Sequence, residues 1–242
     1  MNITLLILTA MAALVALTIH EYAHGYVAYR LGDDTAKSMG RLSLNPIKHL
    51  DPFGAICMIL FHFGWAKPVP IDPRNFKNPR KGFALTALAG PATNIIVGFF
   101  TSFFYLLCLS YFKKTGVAFL DNLQTNIILF LFYFFTINVG LGVFNLIPVP
   151  PFDGSRILNV VLPKKWYFKV MKYERQIYWA VIIWLFFGDT VTDILLKIPF
   201  IAGVPLLRSV VRIFSLSDLL SGATTAIANG MLKFWQLIPI FG

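Results

Sequence analysis

The chain has 242 residues, 57% of them hydrophobic and only 13% charged, with a mean hydropathy of +0.70 and a net charge of +10. Soluble domains carry about 25% charged residues, so this composition excludes a soluble globular protein, a disordered chain and a nucleic-acid-binding module. What remains is an integral membrane protein whose positive excess belongs to cytoplasmic loops.

The first apolar run, residues 3–19, has no Lys or Arg before it. It therefore lacks the basic segment of a signal peptide and reads as a permanent helix, continuing to about Leu31 where Gly32-Asp33-Asp34 stops it. Residues 32–82 differ in kind. Arg41-Leu42-Ser43-Leu44 alternates as a strand does, and Asn45-Pro46 and Asp51-Pro52 read as turns. Residues 55–63 are apolar but too few to span, which predicts a re-entrant piece, with His62 at an interface among Phe61, Phe63 and Trp65. Two clear spans follow at residues 83–112 and 125–147, the latter ended by Pro148, Pro150 and Pro151. Residues 177–187 are apolar but short, and span only if their helix begins near Trp166. Two further apolar stretches in 190–242 are broken by Pro199, Pro205 and Gly230. Cys57 and Cys108 both sit in apolar surroundings, so no disulfide framework is expected.

The expected architecture is an all-α polytopic membrane protein with about four to six transmembrane helices and a small re-entrant β-element. It forms one membrane domain over residues 1–242, with a core to about residue 160 and additional membrane segments over 166–242. Lys and Arg number nine in residues 30–82, two in 113–124 and six in 148–175. That alternation predicts an N-terminus outside the cell membrane and the first and third loops in the cytoplasm.

Chemistry concentrates at His20-Glu21-Tyr22-Ala23-His24, an H-E-x-x-H motif. Helical residues four apart share a face, so both imidazoles can meet one ion, while Glu21 stands to the side, within reach of a water on that ion. A chance match is expected roughly 5 times in ten thousand for a chain with this many His and Glu, which sets coincidence aside. Ionisable groups at such depth are costly and usually functional. A catalytic zinc takes three protein ligands and keeps one position open. The best third candidate is Asp153, which follows the Pro-rich end of the third span, on the same side as the two histidines. Gly154 allows a tight turn there.

This motif, with Asn145-Leu146-Ile147-Pro148 leading to Asp153-Gly154, resembles the site-2 protease family of intramembrane zinc metalloproteases. The resemblance extends through residues 40–54, through Trp65-Ala66-Lys67-Pro68-Val69-Pro70 and through Ala89-Gly90-Pro91-Ala92-Thr93-Asn94, and so covers about residues 15–160. It is closest to the small bacterial and archaeal branch, whose first span carries the H-E-x-x-H. It implies one Zn2+ per chain held by His20, His24 and Asp153, with Glu21 as general base. It also implies that residues 40–60 form a re-entrant β-element to which an unwound substrate segment adds as a strand. Phe152 stands where many relatives have Leu, and no stretch resembles a PDZ or CBS module.

Other polar residues have two readings each. The amides of Asn94 and Asn145 either bind substrate backbone and a developing oxyanion, or tie helices together. His49 and Asp51 either orient a metal ligand or sit at a wet interface. The expected activity is hydrolysis of a peptide bond in or near the transmembrane segment of another membrane protein, with lipid as the surrounding partner and no nucleic acid. Two rivals differ in class. One is a gluzincin-type protease using Glu174 as third ligand on soluble or misfolded substrates; the other is a non-catalytic metal-binding scaffold or transporter, in which Glu21 would have no task.

Overall fold

The computed structural model describes residues 3–61, 66–213 and 215–241. Among them, three helices are long and apolar enough to cross a membrane: α1 (Ile3–Arg30), α4 (Pro79–Tyr111) and α5 (Ala118–Asn145). Before α4 come two short helices, α2 (Thr35–Ser38) and α3 (Pro52–Phe61). After α5 follow α6 (Asp153–Val161), α7 (Lys164–Lys172), α8 (Glu174–Leu196), α9 (Pro199–Gly203), α10 (Pro205–Ile213) and α11 (Leu216–Gln236). Helix α8 is bent by 55° between Trp184 and Phe187, and as one bent span it brings the possible crossings to four. The chain is a multi-pass membrane protein.

Local chemistry accounts for the helix starts. Asn78 caps α4, its side chain accepting from the Lys81 N–H, with Pro79 in the first turn where no partner for an N–H exists. Ser215 caps α11 in the same way through the Asp218 N–H. Pro199 and Pro205 break the apolar stretch as expected, each opening a new helix, whereas Gly230 lies inside α11 rather than ending an element.

The three long helices pack through small residues, as close approach of backbones in lipid requires. Ala12, Ala16, Ala23 and Ala28 of α1 and Ala84 and Ala87 of α4 are buried. Gly98 faces Val139, and Gly142 faces Ile95, each too close to admit a Cβ. Phe135 and Val139 of α5 form a cluster with Ala228 and Met231 of α11. Trp235 of α11 donates to Phe99 O and Ser102 Oγ of α4, both at 3.0 Å.

The expected β-element takes another form. Among the described residues no strand forms; one antiparallel bridge joins Leu50 and Ala66, with Lys67 N donating to His49 O at 2.8 Å. Ser43 N turns back to Arg41 O, which curls the alternating stretch, while Pro46, Pro68 and Pro70 have no N–H to extend a ladder. The short apolar piece is a helix, α3, of 10 residues, about 15 Å long and half the thickness of a bilayer core. His62, Phe63 and Trp65 lie outside the described residues.

Candidate metal centre

His20 and His24 stand one turn apart on the buried face of α1, their Nε2 atoms 3.0 Å from each other and their rings edge to face. Asp153 reaches the same point from another direction. It is the first residue of α6, so the carboxylate leaves the Pro-rich connection at the start of a helix rather than in a free turn. Its Oδ2 lies 3.1 Å from His20 Nε2 and 3.2 Å from His24 Nε2.

Two glycines permit this meeting. A Cβ on Gly154 would strike the carbonyl oxygens of Leu146 and Ile147, so Gly154 serves a close packing of α6 against the end of α5, not the tight turn expected of it. A Cβ on Gly90 of α4 would fall 2.5 Å from His24 Nε2 and 2.6 Å from His20 Cε1. Helix α4 therefore presents bare backbone against the ring edges that carry Nε2.

The donor set suits a tetrahedral cation. Ligands on a zinc at about 2.05 Å stand about 3.3 Å from one another, and the triangle of 3.0, 3.1 and 3.2 Å matches one face of that tetrahedron. Among the described residues, this is the group of three His, Cys, Asp or Glu whose ligand atoms lie close enough to hold an ion.

In front of the trio lies a cavity of about 380 Å³, within the range of small-ligand sites. His20, Glu21, His24, Asn145, Asp153 and Arg156 all line it. Glu21 Oε2 accepts from Val69 N at 2.8 Å, so the backbone of an extended segment, residues 66–72, runs directly over the carboxylate. That segment is fastened by Asp33, which is fully buried just past the end of α1. Asp33 accepts from Asp72 N and Asn75 Nδ2, each at 2.8 Å, and from both the N–H and the hydroxyl of Thr35. Burial opposes ionisation of Asp33, but these donors outweigh it and hold its pKa below the usual carboxylate value.

The other residues singled out in the sequence separate. Asn94 does not face the cavity; it is fully buried and its Oδ1 lies 2.5 Å from His20 Nδ1. Asn145 does line the cavity, one amide hydrogen going to Leu141 O at 3.0 Å. His49 Nε2 bonds to Ser43 O at 2.7 Å, and Asp51 caps α3 through the Gly54 N–H. Neither touches the trio. Glu174 pairs with Arg156 at 2.6 Å and is not among the three grouped donors. Three residues escaped the sequence reading. Arg156 and Asp153 stand three apart, nearly a full helical turn, which marks Arg156 as a neighbour of the site. Asn138 was visible as a polar residue inside a span. Asp33 looked like any Gly-Asp-Asp turn.

Comparison with known proteins then decides the lineage. The sequence profile described as peptidase family M50 matches residues 8–187. The chain belongs to that family. Relatives include YwhC of Bacillus subtilis (strain 168), named as a candidate zinc metalloprotease, which is 46% identical over 150 residues, covering 62% of this chain and 67% of YwhC. A zinc metalloprotease of Methanocaldococcus jannaschii is 30% identical over 184 residues, covering 75% of this chain and 43% of that protein. Rip2 of Mycolicibacterium smegmatis, also named as a candidate zinc metalloprotease, is 27% identical over 155 residues, covering 60% of this chain and 54% of Rip2. The chain thus spans about half the length of the latter two. No solved structure matches it. As an M50 member with three or four helices long and apolar enough to cross a membrane among the described residues, it is a membrane metalloprotease.

Proposed function

We propose that this M50 protein hydrolyses a peptide bond within or beside the transmembrane segment of another membrane protein. The observation that carries the reading is the depth of the donor group. His20 is the eighteenth residue of α1, about 25 Å along a helix of about 42 Å, so the cavity opens beside spans rather than above them. The cofactor is zinc, one per chain, held by His20, His24 and Asp153. When bound there it supplies Lewis acidity, polarising a carbonyl and acidifying water to a pKa of about 7.

The chain's own groups do the rest. Glu21 takes the proton of the attacking water and passes it to the leaving amine nitrogen. Asn145 has one amide hydrogen left after its bond to Leu141 O, and offers it to the carbonyl oxygen as charge develops. The substrate helix unwinds first, because its internal hydrogen bonds otherwise shield the scissile carbonyl. Lipid surrounds the complex.

The basic loops support an N-terminus outside and a site near the cytoplasmic face. In a background lacking Cys57 and Cys108, Ala118→Cys should label from outside and Lys77→Cys only from the cytoplasm; the reverse pattern sinks this orientation.

Glu21→Gln tests the chemistry. It keeps the size of the side chain but removes the proton acceptor, so cleavage of a model transmembrane substrate should fall by about 10²–10⁴-fold while zinc content stays at one per chain. Wild-type cleavage by Glu21→Gln would refute the mechanism. Loss of zinc in Glu174→Gln but not in Asp153→Ala would return the third-ligand role to Glu174.

A further inference from the structure

Asn94 on α4 and Asn138 on α5 are both completely buried among apolar helices. An amide in such a place is costly unless every hydrogen bond is made. Here the bonds have a direction, because a backbone carbonyl can only accept. Phe134 O takes a hydrogen from Asn138 Nδ2 at 2.7 Å. Asn138 must therefore turn its Oδ1 the other way, where it accepts from Asn94 Nδ2 at 2.8 Å. Asn94 Nδ2 also reaches Ala16 O of α1 at 3.2 Å, a second atom that can only accept. Both hydrogens of the Asn94 amide are then spent, and the atom it turns to His20 is an oxygen.

That oxygen stands 2.5 Å from His20 Nδ1. It has no hydrogen to give, so the imidazole hydrogen sits on Nδ1 and the lone pair on Nε2. His24 reaches the same state through Thr86 O, 2.7 Å from its Nδ1. Two Nε2 lone pairs and a carboxylate oxygen thus converge within 3.2 Å, an arrangement that a bound metal cation makes favourable.

We infer that Asn138 and Asn94 form a polarised amide relay that sets the tautomer of His20 and holds its ring in the ligating orientation. They are positioning residues, not catalytic ones, and the inference rests on His20 being a metal ligand. Partners of this kind on a ligating histidine are usually a carboxylate, a backbone carbonyl or water. Here a neutral amide does the work, and a second amide on a third helix fixes its direction. The bonds run from α5 through α4 to α1, so the relative seating of all three spans determines whether the site can hold its ion.

The test is zinc affinity of detergent-purified protein, measured by competition with a chromophoric chelator, beside the visible absorption of the cobalt(II)-substituted form. Asn94→Leu fills similar space without an acceptor; its zinc affinity should fall about 10–100-fold and its cobalt bands should weaken. Asn94→Asp keeps an acceptor towards His20 but sets an oxygen against Ala16 O and Asn138 Oδ1, so it should recover part of both losses relative to Asn94→Leu. Asn138→Leu leaves the His20 bond in place but frees one Asn94 hydrogen, and should give a smaller loss of the same kind. If the amides only tie helices together, each variant will lower Tm while the folded protein binds zinc as wild type does; that result overturns the relay. Should Asn94→Leu fail to fold, equal affinity in Asn138→Leu and wild type overturns it as well. His20→Ala separates the two failures. Undiminished zinc in His20→Ala would remove His20 as a ligand, whereas loss there with no effect at Asn94 or Asn138 would sink the relay alone.

Discussion

Buried polar groups in the region from α1 to α6 face one another, whereas the helices from α7 to α11 turn much of their apolar surface outward. In the first region His20, His24, Asn94, Asn138 and Asp153 are joined by bonds that cross between four helices. In the second, Trp166, Trp179, Ile183, Phe187, Phe200 and Leu206 are all more than half exposed, as lipid-facing or interfacial side chains would be. The second region is attached to the first chiefly where Ala228 and Met231 meet Phe135 and Val139, and where Trp235 donates to α4. Geometry in the first region is over-determined, because moving one group disturbs several others. In the second, a lost contact should cost stability and little else.

The sharpest way to break that contrast is Gly90→Ala. The new methyl would lie 2.5–2.6 Å from both histidine rings, and helix backbone cannot retreat as a flexible side chain can. Bound zinc and cleavage should both be lost, as metal analysis and a substrate assay would read; normal zinc content would mean that the wall against the rings is softer than it looks. A smaller effect belongs to Trp235→Phe, which removes the hydrogen bonds to Phe99 O and Ser102 Oγ. It should lower stability by about 1 kcal/mol, seen as a drop in Tm, with cleavage per folded molecule unchanged. Reduced zinc affinity there would show the two regions to be coupled.

The smallest effect concerns pH. The folded-state pKa of Asp33 is lowered by its four donors, so its contribution is complete above the ordinary carboxylate pKa of about 3.9 and is lost as pH falls through the lower folded value. The Tm gap between wild type and Asp33→Asn should therefore narrow on acidification below about pH 4 and stay constant above about pH 5. A gap independent of pH would mean that the Asp33 charge does not contribute.

How much of this could be read beforehand depended on distance along the chain. His20 and His24 are four apart, so helical periodicity alone brings their rings together. The three long spans announce themselves by length, but the structure starts α4 at Pro79, four residues before the apolar run, and α5 at Ala118, seven residues before it, because helix caps and polar first turns extend beyond the apolar stretch. Asn94 is another matter. Its contacts with Ala16, His20 and Asn138 lie 78, 74 and 44 residues away, and a polar residue in a span does not say which neighbour it will find. Arg41-Leu42-Ser43-Leu44 misled for the opposite reason, since two-residue alternation describes a side-chain pattern and not the presence of a partner strand. Pro199 and Pro205 were legible as breaks, since a missing N–H ends one helix and suits the first turn of the next, whereas Gly230 misled because α11 runs through it.

The bare backbone of α4 at Gly90 also bears on how an ion comes and goes. Helix α4 at Gly90 stands against the ring edges that carry the donor nitrogens, and the cavity lined by Pro68 and Val69 lies in front of the three donors. A peptide lying in that cavity would stand between the three donors and the surrounding solvent. A working enzyme would thus shield its own cofactor for as long as it holds a substrate, and would yield it most readily to a chelator between turnovers.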